Sequence, residues 1–129
     1  MARKVLIVDD EANIVAALEY LLQRNGYEVR SASNGEEALQ QVQAFAPHLV
    51  LLDIMMPQQS GYDVCQRIRE RPDWSGIRIL MLSAKGREAE VSKGLSLGAD
   101  LYITKPFSNA ELVARIGELL GDNRAPRGA

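Results

Sequence analysis

The sequence predicts an α/β fold: one five-stranded parallel sheet, order 2-1-3-4-5, with helices on both faces. Three observations carry that expectation. Two aliphatic runs, Lys4-Val5-Leu6-Ile7-Val8 and Leu49-Val50-Leu51-Leu52, lack polar alternation, as strands covered on both faces do. Strand-like and helix-like segments alternate five times along the chain with short connections. Finally, 129 residues, 47% of them hydrophobic, suffice for one core and leave no room for a second domain.

The elements follow in order. Strand one ends on Asp9-Asp10-Glu11, and Ile14, Val15, Leu18, Leu21 and Leu22 then recur at helical spacing until Asn25-Gly26 stops the helix. Tyr27 to Ala32 reads as a strand. Asn34 caps the second helix with Glu37 three residues on, and Ala38, Leu39, Val42, Phe45 and Ala46 form its apolar face before Pro47. The central strand runs into Asp53-Ile54-Met55-Met56-Pro57. Ser60 is positioned to cap the third helix, with Asp63 in its first turn, and Arg71 to Gly76 breaks it. Trp74 in that break is expected to cover the sheet edge. Ile77 to Leu82 is the fourth strand. The fourth helix, near Arg87 to Leu97, has a thin apolar face and carries Gly94, with Gly98 just beyond; each glycine costs about 1 kcal/mol of helix propensity. Low local stability there suits an element that moves. Asp100 to Thr104 is the fifth strand, and Ser108-Asn109-Ala110-Glu111 opens an amphipathic last helix. The domain is expected over 3–121, with 122–129 a flexible tail or the start of a linker.

Composition excludes several classes. Fifteen Lys and Arg against seventeen Asp and Glu give a net charge of -2 with no basic block, so direct nucleic-acid binding by this chain is not expected. No apolar run reaches a membrane span, and no signal-type segment opens the chain, so the expected compartment is the cytoplasm. The single cysteine, Cys65, shares a helical face with Val64 and Ile68 and reads as core.

Polar residues stand at the ends of four strands: Asp9 and Asp10, Asp53, Ser83 and Lys105. In the flavodoxin-like, doubly wound order these strands are neighbours, so the side chains share one rim, where ligands of open α/β sheets bind. Singly, each has an ordinary role: Asp53 or Ser83 as a turn residue, Asp10 as a helix cap, Lys105 as a solvated surface lysine. Together they make a site. Three carboxylates repel unless a cation binds among them, and an all-oxygen set suits Mg²⁺, which keeps positions for phosphoryl oxygens. A carboxylate can form an acyl phosphate, and Asp53, ending the most buried strand, is the best-placed nucleophile.

Val8-Asp9-Asp10-Glu11, Leu51 to Pro57, Gly61, Leu82-Ser83-Ala84, Gly98-Ala99-Asp100 and Tyr102 to Phe107 together resemble the receiver domain of bacterial two-component response regulators. The resemblance implies a signalling switch that assists its own phosphorylation and dephosphorylation, not a metabolic enzyme. A histidine kinase or histidine phosphotransfer protein would donate to Asp53. Asp10, Asp53 and the Met55 carbonyl would hold Mg²⁺ directly, with Asp9 acting through water. Lys105, through a bond to Pro106 similar to the family's cis peptide, would contact the phosphoryl group. Ser83 and Tyr102 would be the switch pair, reshaping helix 4, strand 5 and helix 5 for a downstream protein or output domain. Met55, apolar two residues after Asp53, implies a long-lived aspartyl phosphate. Lys93, Asp100, Glu111 and Arg115 could contribute to a phosphorylation-dependent homodimer, although Leu101 stands where an acid is usual. Among rivals, a flavodoxin-type carrier is disfavoured because Asp9-Asp10-Glu11 would repel a flavin phosphate. A phosphohydrolase would want a second Asp after Asp53, and a receiver that binds partners without phosphorylation would not need the full set of acids.

Overall fold

The computed structural model describes residues 3–54, 56, 60–83 and 88–121, with the side chains of 88–90 left aside. In chain order the elements are β1 (Lys4–Val8), α1 (Ala12–Arg24), β2 (Glu28–Ala32), α2 (Gly35–Phe45) and β3 (Leu49–Asp53). After them come α3 (Gly61–Arg69), a 3₁₀ turn (Pro72–Trp74), β4 (Arg78–Ser83), α4 (Glu88–Ser96), β5 (Leu101–Thr104) and α5 (Asn109–Leu120). All strand pairs are parallel, and the order is β2-β1-β3-β4-β5.

The two-sided burial behind the aliphatic runs is explicit in the packing. Val5, Ile7, Leu49, Leu51, Leu80 and Leu82 face α1 and α5, meeting Leu18, Leu22, Leu112 and Ile116. Their neighbours Leu6, Val8, Val50, Leu52, Ile79 and Met81 face the other way, onto Ala38, Val42, Val64, Cys65 and Ile68 of α2 and α3. Alternate residues of one strand thus serve two cores. Cys65 is fully buried in the second, and burial pushes its thiol up to about 11, so it stays protonated as a core residue should.

Several details differ from the sequence reading. Tyr27 precedes β2 instead of opening it, although its ring is buried beneath α1 and α5. Ser83 belongs to β4, not to the turn after it. Asp10 does not cap α1: Glu11 holds the N-cap position and makes no side-chain cap bond, while the Glu11 N–H donates to Asp9 Oδ1 at 2.9 Å. Trp74 is the last residue of the 3₁₀ turn after α3. Its ring packs on the α2/α3 core, stacked by the Arg71 guanidinium at 4.1 Å, and walls an open groove with Leu39 and Gln43. The 3₁₀ turn decides this, because Trp74 N–H donates to Arg71 O and Ile77 N–H to Trp74 O, folding the indole back under α3. Among the described residues no helix is long and apolar enough to cross a membrane.

Candidate functional site

The carboxyl end of the sheet gathers the predicted residues. Asp53 is the last residue of β3 and 3% exposed; Asp9 follows β1 directly and is 2% exposed; Asp10 is open to solvent. These positions follow from register, since Val8 lies beside Leu52 and Asp53 beside Leu82. One oxygen from each of Asp9, Asp10 and Asp53 lies within 4.8 Å of the others.

Lys105 reaches this cluster from the end of β5. Its Nζ is 3.8 Å from Asp9 Oδ2 and 3.9 Å from Asp53 Oδ1, beyond hydrogen-bond distance but well within Coulombic reach. The Lys105–Pro106 peptide is cis, in keeping with the resemblance, and the Lys105 N–H donates to Ser83 O at 2.7 Å. That bond continues the β4/β5 ladder one step past the Ser83 and Thr104 pair and fixes where the lysine leaves the sheet. Ser83, the last residue of β4 and the neighbour of Thr104, is buried. Met55 and Pro57 lie outside the described residues, as does the expected tail over 122–129.

Among the described residues one ammonium faces three carboxylates, an excess of negative charge. Asp9 Oδ1 is occupied by the Glu11 N–H, whereas Asp9 Oδ2 is buried and has no hydrogen-bond partner. A buried acceptor left so costs free energy unless a cation completes it. With only hard oxygen donors at hand, the residues present fit a divalent cation of the Mg²⁺ type.

Two features escaped the sequence reading of the site. The ideal Cβ position of Gly61, the first residue of α3, lies 2.5 Å from Asp53 O and 2.8 Å from Ile54 Cα, and its N–H donates to Ile54 O at 3.0 Å. Helix α3 therefore rests backbone to backbone on the strand end that carries Asp53. A glycine in a first helical turn, where propensity disfavours it, was the available signal. Tyr102 is half-buried, and α4 lies against it at Gly94: a Cβ there would come within 2.8 Å of Met81 Sδ and 3.3 Å of Tyr102 Cδ2. The glycine that weakens α4 is what lets it approach Tyr102.

Comparison with known proteins agrees with this geometry. The family model for the response regulator receiver domain matches residues 5–117. The chain is 47% identical over 120 residues to the alkaline phosphatase synthesis transcriptional regulatory protein PhoP of Bacillus subtilis, covering 93% of this chain and 49% of that protein. It is 50% identical over 124 residues to the probable transcriptional regulator ycf27 of Cyanophora paradoxa, covering 96% and 51%. The chain thus spans about half the length of these curated relatives. Among solved structures, a putative response regulator from Chloroflexus aurantiacus superimposes with a TM-score of 0.89 at 40% identity, over 94% of this chain and 99% of that one. The chemotaxis protein CheY4 of Vibrio cholerae gives 0.88 at 30% identity, over 93% and 100%.

Proposed function

Since the chain belongs to the response regulator receiver domain family, we propose that it is a switch set by transfer of a phosphoryl group to Asp53. The observation that carries this reading is the convergence on Asp53: a buried carboxylate ending the central strand, with Lys105 Nζ at 3.9 Å and two further acids within 4.8 Å.

The donor is a phosphohistidine on a sensor kinase or histidine phosphotransfer protein. An Asp53 carboxylate oxygen attacks phosphorus in line, the P–N bond breaks, and the imidazole leaves with the bonding pair. Asp10, Asp53 and the Met55 carbonyl would hold Mg²⁺, with Asp9 acting through water. When bound, that cation would supply positive charge to the transferring phosphoryl oxygens. Lys105, already between Asp9 and Asp53, moves its ammonium to a phosphoryl oxygen. The Ser83 hydroxyl donates to another, and Tyr102 turns inward behind it. The surface of α4, β5 and α5 thereby changes for a downstream protein or output domain. The domain runs over 3–121 and works in the cytoplasm, and its relatives' names favour transcription as the output, carried by a partner domain and not by this chain's own surface.

The test is intact mass after incubation with a small phosphodonor and Mg²⁺, for the wild type and Asp53→Asn, each with a metal-free control. One phosphoryl adduct that needs both Mg²⁺ and Asp53 is expected. No adduct on a folded wild type, from that donor or from phosphorylated kinase, would leave a binding module that works without phosphorylation.

A further inference from the structure

Helices α2 and α3 leave a trough between them that the proposed phosphoryl transfer does not use. Leu39 and Trp74, half-buried and packed on the core beneath, give it an apolar lining. Gln40 and Gln43 line it from α2, Arg67 from α3 and Arg71 from just past the end of α3, around a volume of about 560 Å³. A second hollow of about 390 Å³ continues from it, since Gln43 and Trp74 line both, and runs over the buried Val42, Pro47 and Ile77. At its margin a Cβ on Gly76 would meet nothing within 4 Å, so that end is open. Two hollows joined end to end suit an extended segment of chain better than a compact small molecule, which a closed pocket would surround.

The arginines near the end of α3 divide their work. Arg69 turns into the protein, donating through Nε to Gly98 O at 2.8 Å and through Nη2 to Asp100 Oδ2 at 2.9 Å. Arg71 lies 4.1 Å from the centre of the Trp74 ring and donates through Nη2 to Asp73 Oδ2 at 3.1 Å, which holds the Asp73 carboxyl below its usual range. It extends the aromatic surface. Arg67 is exposed and, among the described residues, makes no hydrogen bond or ion pair; Glu36, which also lines the trough, does not pair with it. A cation in the last turn complements the α3 dipole, but Arg69 already serves there, and the dipole does not account for a spare guanidinium in a trough. We propose that this trough docks a peptide segment of a partner protein, an apolar side chain lying on Leu39 and Trp74 and a neighbouring carboxylate taking Arg67. The charge argues for the acid, since a carboxylate matches the paired donors of a guanidinium. Glu36 repels a run of acids, so the segment carries its carboxylate among neutral residues. The Gln40 and Gln43 amides offer both donors and acceptors to its backbone. An acidic membrane surface has the charge but is flat, and would not reach into the hollow.

Trp74 is the single tryptophan of the chain, so its emission reports on the trough directly. The full chain, as wild type, Arg67→Gln and Arg67→Glu, is titrated with the capped peptide acetyl-Leu-Glu-Leu-Gln-amide and with its counterpart carrying Lys for Glu. A third titration uses vesicles of phosphatidylglycerol and phosphatidylcholine. Urea unfolding of each variant is followed alongside, and substitution of so exposed a residue should change it little. The wild type should show a saturable change of Trp74 emission with the Glu peptide, at the roughly millimolar Kd of so short a ligand, and a much smaller one with the Lys peptide. Arg67→Gln should weaken binding of the Glu peptide about fivefold, as loss of one solvent-exposed ion pair does. Arg67→Glu should reverse the preference and favour the Lys peptide. No saturable change up to about 10 mM Glu peptide, equal affinity for the two peptides, or an unaltered affinity in a folded Arg67→Gln would each overturn the docking site. A response to the vesicles without one to the peptide would overturn it too and make this face a lipid contact.

Discussion

At the scale of single residues, Gly61 is the most exacting position near Asp53. Its missing side chain leaves room for backbone atoms of Asp53 and Ile54, which cannot swing aside as a flexible side chain would. Gly61→Ala must therefore displace either α3 or the end of β3. We expect a loss of about 1–3 kcal/mol in the urea-unfolding free energy, the usual cost of overpacking. We also expect adduct formation on Asp53 to slow by about tenfold, because misplacing a reacting group by a fraction of an ångström removes its alignment. Stability falling with an unchanged rate of adduct formation would show that Gly61 serves packing alone. Asp9 contrasts with it. Its place beside Asp10 and Asp53 was legible, but not the division within its carboxylate, where one oxygen takes the Glu11 N–H and the other faces Lys105. That division depends on the path of the chain into α1, which no residue pattern encodes.

Helices α2 and α5 are held by short-range rules, and their caps were readable for that reason. Asn34 Oδ1 accepts the Glu37 N–H at 2.8 Å, Glu37 Oε1 returns by accepting the Ser33 N–H at 3.2 Å, and Ser108 Oγ accepts the Glu111 N–H at 3.0 Å. Asn34→Ala removes one such acceptor and should lower the unfolding free energy by about 1 kcal/mol. Urea denaturation would check it, and a change below a few tenths would mean that Glu37 alone secures the helix start. Helix α4 obeys the other kind of rule. Its two neighbouring glycines looked like plain weakness in the sequence, yet Gly94 answers a close approach to Met81 and Tyr102, and Gly98 answers a positive φ against the Arg69 stem. Both reasons involve residues eight or more positions away, so local reading registered the cost and missed the cause. Trp74 is a related case, its contact with the α2/α3 core being set by a 3₁₀ turn whose geometry a loop-like composition concealed.

For the whole molecule, the strand order and the rim were legible because a parallel sheet buried on both faces leaves an unusually plain hydrophobic record. Surface pairing is less so. Of the four charges the sequence offered for self-association, Lys93 lies over the Tyr62 ring and Asp100 is bound by Arg69, which turns both inward toward α3. Glu111 and Arg115 remain exposed on α5, Arg115 now 3.1 Å from Glu118 of its own helix. On α4 and β5, Leu95 is 45% exposed and Val91, Leu101 and Tyr102 are half-buried, apolar surface that inward rotation of Tyr102 would change. A twofold dimer through α4, β5 and α5 could then pair Glu111 with Arg115 of the second copy twice over. Exposed pairs contribute little, up to about 1 kcal/mol each, so the dimer should be weak and should depend on phosphorylation for its apolar centre. Light scattering should give one chain without phosphodonor and a mass rising toward two chains with it. Arg115→Glu should abolish the rise and the double exchange Glu111→Arg with Arg115→Glu should restore it, while Asp100→Asn should leave it in place. A mass that stays at one chain after complete phosphorylation would confine the switch to contacts with a different partner.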